Sequence, residues 1–501
     1  MSTVTITEEP LRLEDLLAIV AGARVELADG VRSKIATSRA VVDRALASDE
    51  AVYGMTTQVG HGKDTRLSEE EIHSEQMFLV MSHGGGIGRA LPTPHVRAAL
   101  AVRLNGIARG GSGASPAVAD VLVAMLNADV HPVVPEIGSV GASDLGPMAG
   151  MAQVAIGQGR AEYQGEVLPG GEAMRRAGIT PLVLSGKDGL ALVSANGVSI
   201  GHAALVVARA EQAADAADVA AALSMEATAA NPSILHPAVA RAKGIPGQAA
   251  AADHIRELMS GSGLFEPGAA PSVQDALSFR VVPQVHGALG EYVAAARNAV
   301  TVELNSADDN PLVSVSDQAM ISNGNFHPMV LAIACDALRI ALAQVGQLSE
   351  RRLSHLWDGC MQQLMGPPTS PPYGLQLRYP AAALFPELKQ LAAPATLDTP
   401  TLDLGVEDHG TSAPLSVRKT DTVLGLLEDL LAIELMLASD LLRLTPIKPV
   451  LGAGTAEAFR MVEESITLAD PQPDAVHRAL RERFPVRPVG GSAANGQSAA
   501  R

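Results

Sequence analysis

The sequence predicts a mainly α-helical protein, with an N-terminal domain of active-site loops and a long helical bundle behind it. Three observations carry this. Hydrophobic residues make up 47% of the 501, yet aromatics only 3%, so the core is built from Ala, Leu, Val, Ile and Met; Ala and Leu are strong helix formers. Apolar stretches at 189–230, 274–304, 327–353 and 419–444 are much longer than an average helix. Between the apolar segments lie dense Gly and Pro clusters, at 110–113, 132–150 and 366–400, that read as breaks.

Taken in order, a short lead gives way to a helix around Ser33–Ala47. Residues 51–66, with Gly54, Gly60 and Gly62, form a loop, and helical patterns return at 68–82 and 93–109. The break Gly110-Gly111-Ser112-Gly113 precedes a helix at 116–128. Pro132 to Gly150 reads as a loop so apolar that it belongs inside the protein, and buried loops usually have a functional reason. The four long stretches suit a bundle that also serves as a subunit interface. One of them is read as ending in a charged turn, Ser349-Glu350-Arg351-Arg352, and a Pro-rich zone at 366–400 as interrupting the bundle. The expected domains are 1–187, 188–486 and a Gly/Ala/Ser-rich flexible tail, 487–501.

The bulk numbers exclude several functions. A net charge of −17 disfavours nucleic-acid binding, which needs a basic surface. Cys335 and Cys360 form no CxxC or Cys/His cluster and are expected to be reduced structural thiols. The acidic Met1–Pro10 segment has no apolar stretch and no uncharged apolar run reaches about 18 residues, so a cytoplasmic protein without membrane spans is expected. Gly84-Gly85-Gly86-Ile87-Gly88 follows a helix and lacks the Lys-Ser/Thr ending of a phosphate loop. HExxH and GxSxG are absent and the histidines are scattered, so no metal is expected.

One segment is more specific. Gly138-Ser139-Val140-Gly141-Ala142-Ser143-Asp144-Leu145-Gly146-Pro147 resembles the signature of the ammonia-lyase and aminomutase family acting on histidine and the aromatic amino acids. Further resemblances lie at Val52-Tyr53-Gly54 through Gly60, Ser82-His83, Arg103-Leu104-Asn105 and Lys187-Asp188-Gly189-Leu190. Others are Gln274-Asp275 with Ser278-Phe279-Arg280, Asn305-Ser306 with Asp309-Asn310-Pro311, Gly324-Asn325-Phe326-His327, Ser349-Glu350-Arg351-Arg352 and Glu407-Asp408-His409. They follow the family's order over residues 10–445. Such a series is specific for the fold, an ammonia-lyase or fumarase/aspartase-like helical one, and less so for the reaction.

The resemblance implies roles. Tyr53 matches the base that takes the β-proton, a task that calls for a lowered pKa; a buried loop tyrosine is the plainer alternative. Arg280 matches the clamp on the substrate carboxylate, for which its planar fork is suited, against a simple surface ion pair. His83 and Glu407 match positions that set side-chain preference and point to a polar, histidine-like substrate. Asn196 and Phe326 would contact the substrate, although core packing explains Phe326 equally well. A homotetramer sharing active sites, with an amino acid or a derivative as its small-molecule partner, is implied as well.

In this family an Ala-Ser-Gly tripeptide cyclises to 4-methylideneimidazol-5-one, an electron sink made from the chain. Here Asp144 follows Ser143, by substitution or by deletion of the glycine. Glycine permits the tight turn that ring closure needs, and a β-substituent obstructs it. Leu277 replaces a tyrosine, and Ser194 an asparagine, at positions that support the cofactor. The substrate-holding positions are kept. The implied function is a carbon–nitrogen lyase or aminomutase with catalytic Tyr53, Ala142, Ser143 and Asp144. Either Ala142-Ser143-Asp144 forms the ring, or the pocket works without a cofactor as a lyase or isomerase, or it binds a ligand without turnover.

Overall fold

Helices dominate the computed structural model, which describes residues 2–48, 50–364, 372–469 and 472–483. The expected flexible tail, 487–501, lies outside the described residues. Contacts divide the chain into two compact units that cross the expected boundary between 187 and 188. One holds Met1–Val207, Ala295–Asp336 and Pro394–Arg418; the other holds Ala208–Ala294, Ala337–Ala393 and Lys419–Arg501.

The first unit is built around the helix Thr93–Ala108, which is buried from Val96 to its end. Leu13–Val20 and Pro116–Asn127 pack on it. The following long helix, Gly197–Thr228, approaches it closely because Gly201 carries no Cβ; one would lie 2.9 Å from the backbone at Ala98 and Ala99. Short strands decorate this core. Thr3–Ile6 pairs in parallel with Arg24–Leu27, Ile87–Ala90 pairs antiparallel with Pro135–Ile137, and Arg160–Tyr163 is flanked by His131–Pro132 and Glu166–Pro169. A hairpin joins Leu312–Ser314 to Ala319–Ile321.

Burial forces charges to pair. Arg103, 1% exposed, donates to Asp309 at 2.8 Å and to Asp308 at 3.5 Å, while Lys187 donates to the Ser112 carbonyl at 2.6 Å. In the second unit Arg352 makes a two-pronged contact with Glu434 at 2.6 and 3.0 Å, with neither side chain exposed to solvent. Ser224 donates to the same carboxylate at 2.7 Å.

This pairing corrects the turn expected at Ser349–Arg352. The helix runs unbroken from Met329 to Leu364, and two of the charges that suggested a turn, Glu350 and Arg352, are paired inside the bundle. Two expected loops also contain helices: Leu145–Ala155 begins within Pro132–Gly150, and Arg378–Leu391 lies inside the Pro-rich zone with Pro386 in its interior. The 189–230 stretch is two helices, Asp188–Val193 and Gly197–Thr228, separated by Ser194–Asn196. Helix length and composition would also allow two spans of a membrane, against the expectation. The apolar windows within Asp188–Thr228 and Met329–Leu364 are 94% and 56% buried inside the protein. Cys335 and Cys360 are buried thiols outside any disulfide, and burial pushes the Cys360 thiol up to about 12, as expected of structural thiols.

Candidate active site

The helix Asp29–Leu46 presents Val41, Val42 and Ala45 to a small apolar cluster that also takes Val52 and Met55. The two anchors bracket Tyr53 and fix its loop. Gly54 follows at φ +63°, where a Cβ would press to 2.7 Å from Leu190, so the loop requires glycine there. Gly60, also left-handed, donates its N–H to the Tyr53 oxygen at 2.9 Å. A Cβ on Gly60 would run into the Asp403 carboxylate, so its absence lets that carboxylate close in.

Asp403 belongs to a tight excursion of the chain. Asp403, Leu404 and Gly405 are consecutive left-handed residues, with φ of 49°, 54° and 91°. The backbone of Leu402 then pairs with that of Glu407, the Leu402 N–H donating at 2.8 Å. Non-glycine residues in this region are strained, and such strain clusters at functional sites. Asp403 also meets the His61 ring at 2.8 Å.

On the opposite wall, the helix Glu69–Ser82 opens with a capping box between Ser68 and Glu71 and ends at His83. His83 Nδ1 contacts the Leu79 carbonyl at 2.9 Å. This bond requires a proton on Nδ1, leaving Nε2 for another partner. Glu75 and Phe78 come from the same helix.

The Ala142–Asp144 turn is held from all sides. Ser139 Oγ accepts from the Gly141 N–H and donates to the Ser143 carbonyl, both at 3.0 Å. Thr411 Oγ1 donates to the Gly141 carbonyl at 2.8 Å. Ser143 adopts φ +60° and donates its N–H to the Phe326 carbonyl at 3.1 Å. The Asp144 N–H donates to the Ala195 carbonyl at 2.8 Å. The Asp144 carboxylate accepts from the N–H and hydroxyl of Ser199 at 2.6 and 2.8 Å, at the start of Gly197–Thr228. A helix N-terminus is a favourable place for a carboxylate; burial nevertheless raises the Asp144 pKa, with the Ser199 bonds opposing.

These pieces enclose a cavity of about 560 Å³ within the first unit. It brings together Tyr53, His83, Ala142, Ser143, Phe326 and Glu407 of the expected site residues. Asp144 is not in its lining, because its side chain turns to Ser199. Asn196 is also outside the lining and fully buried. Its N–H donates to Asp308 at 2.7 Å and its amide to the Phe326 carbonyl at 3.0 Å, so it braces the turn from behind. Ser194 does line the cavity. Arg280 belongs to the second unit, where it bonds Gln274 at 2.5 Å, and Leu277 there is 58% exposed.

The electrostatics correct one expectation. Tyr53 is raised, not lowered, in pKa: burial dominates, the Gly60 N–H opposes it, and Glu407 and Asp403 push it further up. Burial likewise raises Glu75 and Glu407, each repelled by a neighbouring acid and eased by His83. Below the Asn196 brace, burial lifts Asp308 to about 6 against the pull of Arg103, and drops Lys187 to about 8 against the pull of Asp309.

Sequence reasoning missed Glu75, Phe78, His61 and Asp403. The spacing of Glu75, Phe78, Leu79 and His83 along one helix was the signal for the first two. For Asp403, within a turn of unusual backbone, there was none.

Comparison with known proteins agrees with this geometry. A family model, aromatic amino acid lyase, matches residues 11–464. A histidine ammonia-lyase of Anaeromyxobacter sp. (strain K) is 38% identical over 499 residues, covering 96% of this chain and 97% of its own. Among solved structures, the ergothioneine-degrading enzyme ergothionase from Treponema denticola superposes with a TM-score of 0.89 at 27% identity, covering 96% of this chain and 98% of that one. Tyrosine aminomutase from Streptomyces globisporus gives 0.87 at 27% identity, covering 96% and 97%. With its fold and most of its length accounted for in this way, the chain belongs to the aromatic amino acid lyase family.

Proposed function

We propose that the protein is a carbon–nitrogen lyase that removes an amine from an α-amino acid, or a derivative of one, with a polar and preferably histidine-like side chain. The observation that carries this is Tyr53: its oxygen, oriented by the Gly60 N–H, shares one cavity with His83, Ser143 and Glu407. Tyr53 takes the β-proton. His83 offers Nε2, and Glu407 a carboxylate, to a polar side chain such as imidazole. The name of the Anaeromyxobacter relative, a histidine ammonia-lyase, supports the same side chain.

The ring that the family forms from Ala-Ser-Gly does not fit these residues. Closure needs the amide nitrogen of the third residue to reach the Ala142 carbonyl carbon. Here that nitrogen is committed to Ala195, its residue carries a pinned carboxylate on a buried Cβ, and the Asp144 carbonyl accepts from Met148 at 2.9 Å in the first turn of Leu145–Ala155. Elimination is therefore assigned to the chain's own base and to the substrate's own leaving group.

Arg280 is assigned to the substrate carboxylate, contributed from a second subunit of a homotetramer. Exposed apolar side chains on the long helices, Val330 and Ile333 among them, at 70% and 50% exposure, suit burial between copies of the chain.

The test is product analysis with the full-length protein and histidine-like substrates. An α,β-unsaturated acid with a free amine marks a lyase; an amine moved to the β-carbon marks an aminomutase. Tyr53→Phe is expected to lower turnover by roughly 100- to 10,000-fold while binding persists. Tight binding with no turnover by the unmutated protein would instead identify a sensor.

A further inference from the structure

The composition of the cavity wall narrows the substrate class beyond the lyase reading, and the narrowing rests on that reading. Among the described residues, the wall holds three carboxylates, Glu75, Asp403 and Glu407, and no lysine or arginine. It also holds Tyr53, Phe78 and Phe326, in a chain with only seven phenylalanines and five tyrosines. Aromatic faces beside carboxylates are the chemistry that recognises a desolvated cation, above all a quaternary ammonium, which has no N–H to satisfy. The strained Asp403–Gly405 turn places one of these carboxylates, and the missing Cβ of Gly60 leaves room for it.

We infer that the group eliminated is a quaternary amine: the substrate is an α-trimethylammonium acid, a betaine, with an imidazole-like side chain.

Two further lines converge on this class. The first is the leaving group. With the Ala142–Asp144 turn unsuited to ring closure, nothing in the described lining offers an electrophile to draw electrons from the substrate. The nitrogen must therefore carry its full positive charge when the Cα–N bond breaks. A protonated primary amine can give up a proton to a basic tyrosine and become a very poor leaving group. A trimethylammonium has no proton to give.

The second is the base. Burial and two carboxylates oppose ionisation of Tyr53. A permanent cation entering the cavity supplies the opposite charge that favours the phenolate.

The step balances without any co-reactant. Tyr53 oxygen, as the phenolate, takes the β-proton. The Cβ–H electron pair becomes the Cα=Cβ bond, and the Cα–N pair leaves on nitrogen as neutral trimethylamine. The products are an α,β-unsaturated carboxylate, trimethylamine and a proton on Tyr53, with no net oxidation or reduction.

The experiment gives the full-length protein Nα,Nα,Nα-trimethylhistidine and, separately, histidine. It follows the absorbance of the unsaturated acid together with release of trimethylamine or ammonia. The expected kcat/KM for the betaine exceeds that for histidine by at least about 30-fold. Phe78→Leu, at the rim of the cavity, is expected to raise KM for the betaine by about 5- to 10-fold and leave kcat within about twofold; an unchanged KM would overturn the aromatic recognition. Histidine turned over as fast as the betaine, with ammonia released, overturns the quaternary assignment and leaves the lyase reading standing. No turnover of either overturns both.

Discussion

At the scale of single residues, the site is a matter of which charges are tolerated where. Burial and two nearby acids raise the Tyr53 pKa, and the described wall holds no lysine or arginine to oppose them. Elsewhere in the same unit, Glu303 shows the same physics. Burial and Asp308 lift its pKa to about 7, from an ordinary value near 4.5. A carboxyl whose folded-state pKa is raised binds its proton more tightly when folded. Its contribution is therefore fully present below about 4.5 and is lost as pH rises through about 7. Glu303→Gln is expected to raise the Tm at pH 8 and to flatten the dependence of Tm on pH across this window; thermal denaturation at a series of pH values checks it. Tyr53, His83, Phe326 and Glu407 were legible in the sequence because each sits in a recognisable local pattern. The direction of the Tyr53 shift was not, because it is set first by burial in the folded cavity and then by Glu407 and Asp403, which lie far away along the chain.

At the scale of elements, Asp144 is the residue whose meaning changes most between one dimension and three. In sequence it is the misfit third member of a cyclising triplet. In the fold it ties two helices together, starting Leu145–Ala155 with its backbone and holding the start of Gly197–Thr228 with its carboxylate. Asp144→Ala leaves the Ser199 N–H and hydroxyl without their partner at a site of zero exposure, a loss of about 1–3 kcal/mol. The expected outcome is a lower Tm, largely recovered by Asp144→Asn, which retains an acceptor. The long helices were legible from their apolar length. Where they stop was not. The Ser349–Arg352 charges read as a turn because their partners, Glu434 and Arg378, come from distant segments. The helix Leu145–Ala155 hid behind the Gly and Pro content of its first turns, which a buried helix tolerates once its neighbours pack closely.

At the scale of the whole molecule, the fold class and the family were legible because the motifs recur in order along nearly the entire chain. Arg280 and the cavity lie in different compact units, and sequence order carries no information on which copy of the chain would serve a given site. If a homotetramer shares its sites, Tyr53→Phe and Arg280→Ala chains should rescue each other. Co-refolding equal amounts of the two inactive variants is expected to restore about a quarter of wild-type activity, since half of the sites receive a good tyrosine and half of those a good arginine. Activity that stays at the level of the single variants would place both residues in one subunit's site. The central claim is that this member of the family eliminates without an electrophile made from its own chain. The most direct measurement is the mass of the full-length, catalytically active protein, followed by the mass of its peptide spanning residues 142–144. The expected mass is that of the unmodified sequence; an active protein lighter by the waters lost in ring closure, with the loss located in that peptide, would contradict it.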